Sequence, residues 1–245
     1  MEQAAKKQVI EGLREQILSM QGYKTVSKNQ QNVSGLELFA SAFPNYHFPL
    51  QGIHEFISES REQMAASSGF ISGLLSALMK DGSPCIWISA SRKFFPPATK
   101  RFSLNAASII FIDLQNEKEL LWVTEEALKC EGLAAVVSEI PDLNFATSRR
   151  FQLVIEKSKV TALFLRKNPK TLSNTTCLAR WKISPLPSIL PEGMPGVGQP
   201  SWKAELLKVR NGEGGTFDIS WSGTTFKPLE KENIKVLALQ ELQAG

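Results

Sequence analysis

Between residues 50 and 165 the chain alternates two apolar rhythms. Ile53 to Ile57, Cys85 to Ser89, Ile109 to Ile112, Leu133 to Val137 and Val160 to Leu165 are apolar runs too short for helices, the signature of strands buried on both faces. Between them the spacing is helical. Phe70, Ile71, Leu74, Leu75 and Leu78 recur at i, i+1, i+4, i+5 and i+8, Leu120, Leu121, Thr124 and Leu128 mark a second helix, and Phe151, Val154 and Ile155 a third. Asn116 and Glu119 have capping-box spacing at the start of the second helix, with Asn in place of Ser or Thr, and Gly132 marks its end. This alternation predicts an α/β fold of three layers: a mostly parallel sheet with helices on both faces.

The flanks follow other rules. Val9, Leu13, Ile17 and Met20 put one narrow apolar stripe on a helix from Lys6 to Met20, and Gly22 to Ser34 is a polar linker. A short helix around Leu36, Phe39 and Phe43 stops at Pro44. Leu178 to Ile183 alternates as a sixth strand, whereas Ser184 to Pro200 holds five of the thirteen prolines, which argues against helix and central strand alike. Trp202 to Arg210 and Thr216 to Trp221 flank Asn211-Gly-Glu-Gly-Gly215, a β-hairpin signal that predicts an antiparallel extension at one sheet edge. The expected organisation is an N-terminal helix and linker over 1–34, one large domain over 35–226 and a tail over 227–245. Ile234, Val236, Leu237, Leu239 and Leu242 make that tail more apolar than a solvated terminus requires.

Composition narrows the class. With 42% hydrophobic and 21% charged residues in 245, the chain reads as an ordinary globular protein. Cys85, Cys130 and Cys177 are too far apart for a zinc pattern, and their odd number argues against a disulfide framework. His47 and His54 are the only histidines, too few for most His-based chemistry. No apolar segment follows the N-terminal lysines and none approaches 18 residues, so a cytoplasmic protein with no membrane partner is expected. The net charge of +4 permits contact with nucleic acid without requiring it.

In mononucleotide-binding domains, the first strand, turn and helix form the phosphate cradle. Here a turn of about five residues is expected after Ile57, yet no Gly or Lys occurs from there to Gly69, and neither Ser nor Thr follows Arg61. No nucleotide cofactor, metal or catalytic residue is therefore assigned. The loops after the strand ends would gather Ser58 to Glu62, Ala90 to Ala106, Pro141 to Ala146 and Arg166 to Thr176 on one edge. Arg92, Lys93, Lys100 and Arg101, interleaved with Phe94, Phe95 and Phe102, have the composition of a single-strand DNA-binding surface, or of a solvated loop whose phenylalanines close over the core. Arg149 and Arg150 open a helix and are candidates for the same surface or for surface ion pairs. Glu125 and Glu126 are helix neighbours that face different ways, so they form no acid/base pair. Ser67-Ser68-Gly69 lacks the setting of a nucleophile, and His54 reads as a packed strand residue. Trp181, Trp202 and Trp221 either pack under the hairpin or form a partner patch.

Several stretches together resemble one family. Gly-Ile-His-Glu-Phe (52 to 56), Gly-Phe-Ile-Ser-Gly-Leu-Leu (69 to 75), Glu-Leu-Leu-Trp-Val-Thr-Glu-Glu-Ala-Leu (119 to 128), Leu-Ala-Ala-Val-Val-Ser-Glu-Ile (133 to 140), Ser-Arg-Arg-Phe-Gln-Leu (148 to 153), Ala-Arg-Trp-Lys-Ile (179 to 183) and Gly-Gln-Pro-Ser-Trp-Lys-Ala-Glu-Leu-Leu-Lys-Val-Arg (198 to 210) resemble the ImuA family. These are RecA-like bacterial proteins associated with SOS-induced translesion DNA synthesis. The resemblance spans roughly residues 35 to 222 and implies a RecA-like core. It further implies a non-catalytic accessory role beside a Y-family-polymerase-like mutasome partner, with RecA and single-stranded DNA as further candidate partners. It makes Ala134 to Ile140 the strand that would carry the Walker B acid, with Ser138-Glu139 where Asp is expected. It also requires a partner surface, for which Ile234, Leu237, Leu239 and Leu242 of the tail are the candidates. Two alternatives stay open: a weak DNA-stimulated ATPase with a noncanonical loop, and a SulA-like division inhibitor.

Overall fold

The computed structural model describes residues 33–90, 94–169, 172–189 and 198–229, together with Ile10, Gly12 and Leu13. It divides into units Met1–Asn32 and Val33–Gly245. The predicted helix from Lys6 to Met20 and most of its linker, Arg92 and Lys93, and the tail residues Ile234, Val236, Leu237, Leu239 and Leu242 lie outside the described residues, apart from Ile10, Gly12 and Leu13 and the linker's last two residues.

In the second unit the apolar runs become β1 (Ile53–Ser58), β2 (Cys85–Ser89), β3 (Ile109–Asp113), β4 (Ala135–Glu139) and β5 (Thr161–Lys167), followed by β6 (Ala179–Ile189), β7 (Gln199–Val209), β8 (Gly215–Trp221) and β9 (Phe226–Pro228). The helices are α1 (Glu37–Ala40), α2 (Arg61–Leu78), α3 (Glu117–Lys129) and α4 (Phe145–Ser158). One sheet joins the strands in the order β3-β2-β4-β5-β1-β6-β7-β8-β9. The first six are parallel, and β7, β8 and β9 are antiparallel additions. β1 therefore has the late strands β5 and β6 on its two sides, which puts the chain reversal beside its carboxyl end.

Side-chain alternation sorts the core onto two faces. Phe56 points to the face where Phe70, Leu74 and Ile71 of α2 meet Trp181, Trp202 and Ile183. Ile53 points to the other, where Leu120 of α3 and Phe151 and Ile155 of α4 meet Val136 and Phe164. Phe39 from α1 fills the gap between α2 and the antiparallel strands, with edge-to-face contacts at 5.6 Å to Phe70, 5.5 Å to Trp181 and 5.4 Å to both Phe217 and Phe226. Trp181, Trp202 and Trp221 are all buried, so the packing alternative holds for each.

Three boundaries differ from the sequence reading. The turn after β1 is two residues, Glu59-Ser60, because α2 starts at Arg61. β6 continues through Pro185 and Pro187 to Ile189. It can do so because β1 pairs with it only as far as Lys182, while β7 continues alongside. Prolines two apart turn their missing N–H groups to the same side, and beyond Lys182 that side is open. Finally, β9 runs to Pro228 and the buried Leu229 donates its N–H to Asp218 C=O at 2.9 Å, so the sheet reaches into the segment assigned to the tail.

Candidate functional site

The carboxyl ends of β1, β2, β4 and β5 converge where a RecA-type fold would hold nucleotide. At β1 the short turn leaves α2 capped by its own residues. Gln63 N–H donates to Ser60 Oγ at 3.2 Å, Gln63 Oε1 accepts from Glu59 N–H at 2.8 Å, and Met64 N–H donates to Ser60 C=O at 3.1 Å. The first-turn donor of Gln63 that an anion would seek is taken by a Ser-x-x-Gln cap. Around it, Lys182 Nζ pairs with Glu59 Oε2 at 2.6 Å, and Ser58 Oγ meets Ser67 Oγ at 3.2 Å in the interior.

At β4 the two residues in the Walker B position face opposite ways. Ser138 is buried against α3, its Oγ 2.7 Å from Thr124 Oγ1. Glu139 faces α2 and accepts from Ser89 Oγ at 3.0 Å. No group of three or more His, Cys, Asp or Glu side chains among the described residues has the proximity to hold a metal ion.

What the edge does contain is a cleft of about 1010 Å³ between α2, the segment after β2, the ends of β4 and β5 and the start of β7. The α2 side is a stripe of small residues, Ala65, Ser68, Gly69 and Ser72, while Phe102, Leu165 and Trp202 form the apolar depth. A Cβ on Gly69 would come within 3.2 Å of Trp202 and 3.4 Å of Phe102, so glycine lets these walls close in. Arg61, Lys167 and Glu139 also line the cleft.

The residues that the sequence offers for DNA contact separate here into two groups. Phe94 lies in the cleft wall, stacked 4.0 Å from Trp87 and 5.8 Å from Phe111. Lys100 and Arg101 are exposed on the 3-10 turn Pro96–Phe102, and the Arg101 guanidinium donates to Gly198 C=O. Arg149 and Arg150 belong to α4, on the opposite face of the sheet. Arg149 lies 3.8 Å from Glu156, and Arg150 pairs with Glu125 at 2.9 Å and lies over Phe151. Of the residues read from the sequence, the structure brings Phe94, Lys100 and Arg101 to the cleft segment. Phe95 and Phe102 of the same segment line the cleft as well, as does Trp202 from the hairpin, whereas Arg61 and Lys167 were not singled out as site residues. Topology gave their edge, but only the fold shows which side chains converge there.

Beneath that edge, on the α4 face, Glu55 lies between two arginines. Its Oε2 accepts from Arg166 Nη1 at 3.0 Å and from Arg180 Nε at 3.1 Å, and Thr175 donates to Oε1. Burial pushes the Glu55 carboxyl up, but the Thr175 hydroxyl, Arg180 and Arg166 together outweigh it and hold the group below the usual carboxylate range. Arg180 also donates to Ser173 C=O at 2.9 Å, Ser173 Oγ to Leu143 C=O at 2.8 Å, and Arg210 to Thr176 C=O at 2.6 Å, so the segment before β6 is pinned. Glu55 is thus an ion-pair centre with no access to a ligand. His54, the neighbouring residue on the other face, is fixed as the neutral tautomer. Its Nε2–H donates to Pro49 C=O at 2.8 Å, and its Nδ1 accepts from Trp181 Nε1–H at 3.3 Å.

Among solved structures the chain is similar to a RadB recombinase, with a TM-score of 0.52 over 75% of this chain and 93% of that one at 14% identity. It is also similar to a KaiC-like protein from Pyrococcus horikoshii, with a TM-score of 0.49 over 78% and 97% at 11% identity. No family model matches the chain. Fold and edge geometry define a RecA-like α/β protein whose phosphate end has been rebuilt as a capped helix beside an apolar cleft.

Over 185 residues the sequence is 30% identical to Protein ImuA from Caulobacter vibrioides, in strains NA1000/CB15N and ATCC 19089/CIP 103742/CB 15, covering 71% of this chain and 76% of that protein. The chain belongs to the ImuA family. That family membership points to an accessory role in SOS mutagenesis, within the DNA-damage response.

Proposed function

We propose that this protein is a non-hydrolysing accessory of error-prone translesion synthesis, a RecA-like scaffold that holds a Y-family-polymerase-like partner instead of turning over nucleotide. The observation that carries the proposal is the Glu59-Ser60 connection. Two residues cannot form the glycine-rich loop whose successive N–H groups wrap a triphosphate, and the Gln63 N–H is committed to Ser60. Each charge-assisted phosphate contact missing from the cradle removes about 1.5 to 3 kcal/mol. Loss of several leaves nothing near micromolar affinity.

Calorimetric titration with Mg-ATP tests this. The expected result is no micromolar isotherm, with or without single-stranded DNA. A micromolar isotherm abolished by Arg61→Ala would overturn the proposal in favour of the weak ATPase. No helix among the described residues is long and apolar enough to cross a membrane.

A further inference from the structure

The cleft beside α2 has no role in the scaffold just proposed, and its chemistry is specific. Its depth is apolar, set by Phe102, Trp202 and Leu165, and the small α2 stripe keeps it open to about 1010 Å³. Arg61 and Lys167 are both exposed at the cleft, and neither forms an ion pair with a described residue. Phe95 is 68% exposed beside them, an aromatic side chain with little of its surface covered. An apolar hole with two cations is complementary to an apolar anchor flanked by carboxylates.

We propose that this cleft is a docking site for an acidic peptide segment of a protein partner, with one large apolar side chain seated between Ala65 and Trp202 and carboxylates on Arg61 and Lys167. The apolar depth favours peptide over nucleic acid: Phe102, Trp202 and Leu165 give an alkyl or aryl side chain full contact, whereas a base would carry its hydrogen-bonding edges away from water into them. The inference rests on the loss of the phosphate cradle, as the functional reading does, but not on who the polymerase-like partner is.

Selection of a random phage-displayed dodecapeptide library on the immobilised full chain tests it. Enriched peptides should carry an aromatic residue or leucine next to Asp or Glu. Measured by fluorescence anisotropy, their affinity should fall about tenfold or more in Arg61→Glu/Lys167→Glu. It should also be lost in Ala65→Trp, which fills the hole. All three positions are exposed, so folding is retained and circular dichroism verifies it. Absence of enrichment, enrichment of basic peptides, or affinities unmoved by both variants would overturn the proposal. So would displacement of the peptides by an oligo-dT strand whose own binding is lost in Ala65→Trp, which would make the cleft a nucleic-acid site. Mg-ATP calorimetry decides the scaffold reading separately, so a failure of the peptide site is distinguishable from a failure of that reading.

Discussion

Glu55 shows how one buried side chain sets the chemistry around it. Its neighbours supply two positive charges for its one, and all three side chains are almost fully removed from water. Replacing such a group leaves uncompensated charge, which costs far more than the intact cluster contributes. Glu55→Gln should lower stability by about 3 to 5 kcal/mol, read as a fall in urea midpoint at unchanged m-value. The triple change Glu55→Leu, Arg166→Met, Arg180→Leu should recover most of that loss, and a triple variant no better than the single one would show that packing, not charge, is at stake. His54 adds a pH dependence of defined sign. Burial lowers its pKa from 6.5 to about 4, although the Pro49 carbonyl pulls the other way. The unfolded chain therefore takes up a proton below 6.5 that the folded chain refuses until about 4, so stability is full above 6.5 and is lost as pH falls through this window. Between pH 7 and pH 5 the loss should be about 2 kcal/mol. His54→Asn should remove that pH-dependent part from paired urea titrations. An equal drop in the variant would assign the acid sensitivity elsewhere, with the Glu55 carboxyl, depressed in the fold and protonated at still lower pH, the next candidate.

At the scale of elements, α2 is shaped by its neighbours. A Cβ on Gly73 would meet Phe226 at 2.5 Å and Trp221 at 3.1 Å, both rings held in the core. Alanine normally gains about 1 kcal/mol over glycine inside a helix. Here Gly73→Ala should instead destabilise by about 1 to 3 kcal/mol through overpacking, measured as a lower Tm. A raised Tm would mean that β9 is free to shift. The strand and helix content was legible because period and run length are local properties. The two-residue turn was not, since Met64, Ala65 and Ala66 only weakly extend the apolar period back toward Ser60. Nor was the full reach of β6, because Pro185 and Pro187 look prohibitive until it is known that β1 has already ended beside them. The cleft was hidden for a related reason. Its residues come from α2, the segment after β2, two strand ends and β7, and no spacing rule links those stretches.

For the whole molecule, DNA contact and partner contact draw on different stretches of the sequence, 92–101 and the residues after Leu229. If Arg92, Lys93, Lys100 and Arg101 all reach phosphates, single-stranded DNA binding should weaken with salt at a log–log slope of about −3, from roughly 0.7 per contact. Reversing the four charges without loss of affinity would remove this surface from consideration. A chain ending at Leu229 keeps the last sheet hydrogen bond among the described residues, so its Tm should stay within about 2 °C of the full protein. It should nevertheless lose co-purification with the polymerase-like partner if Ile234, Leu237, Leu239 and Leu242 carry that contact; retained co-purification would place the contact elsewhere. The order of the strands also governs how the protein is made. β1 leaves the ribosome first, yet its two neighbours are β5 and β6, and the Glu55–Arg180 contact spans 125 residues. At translation speeds of about 5 to 20 residues per second, β1 waits roughly 6 to 25 s for its second flank. Until β5 emerges both edges of this apolar strand are open, and one stays open until β6 follows, available to chaperones or to other nascent chains. The strand order therefore builds a folding delay into the chain, and nascent chains stalled between β5 and β6 should aggregate more than those stalled after β6, measured by sedimentation of stalled chains.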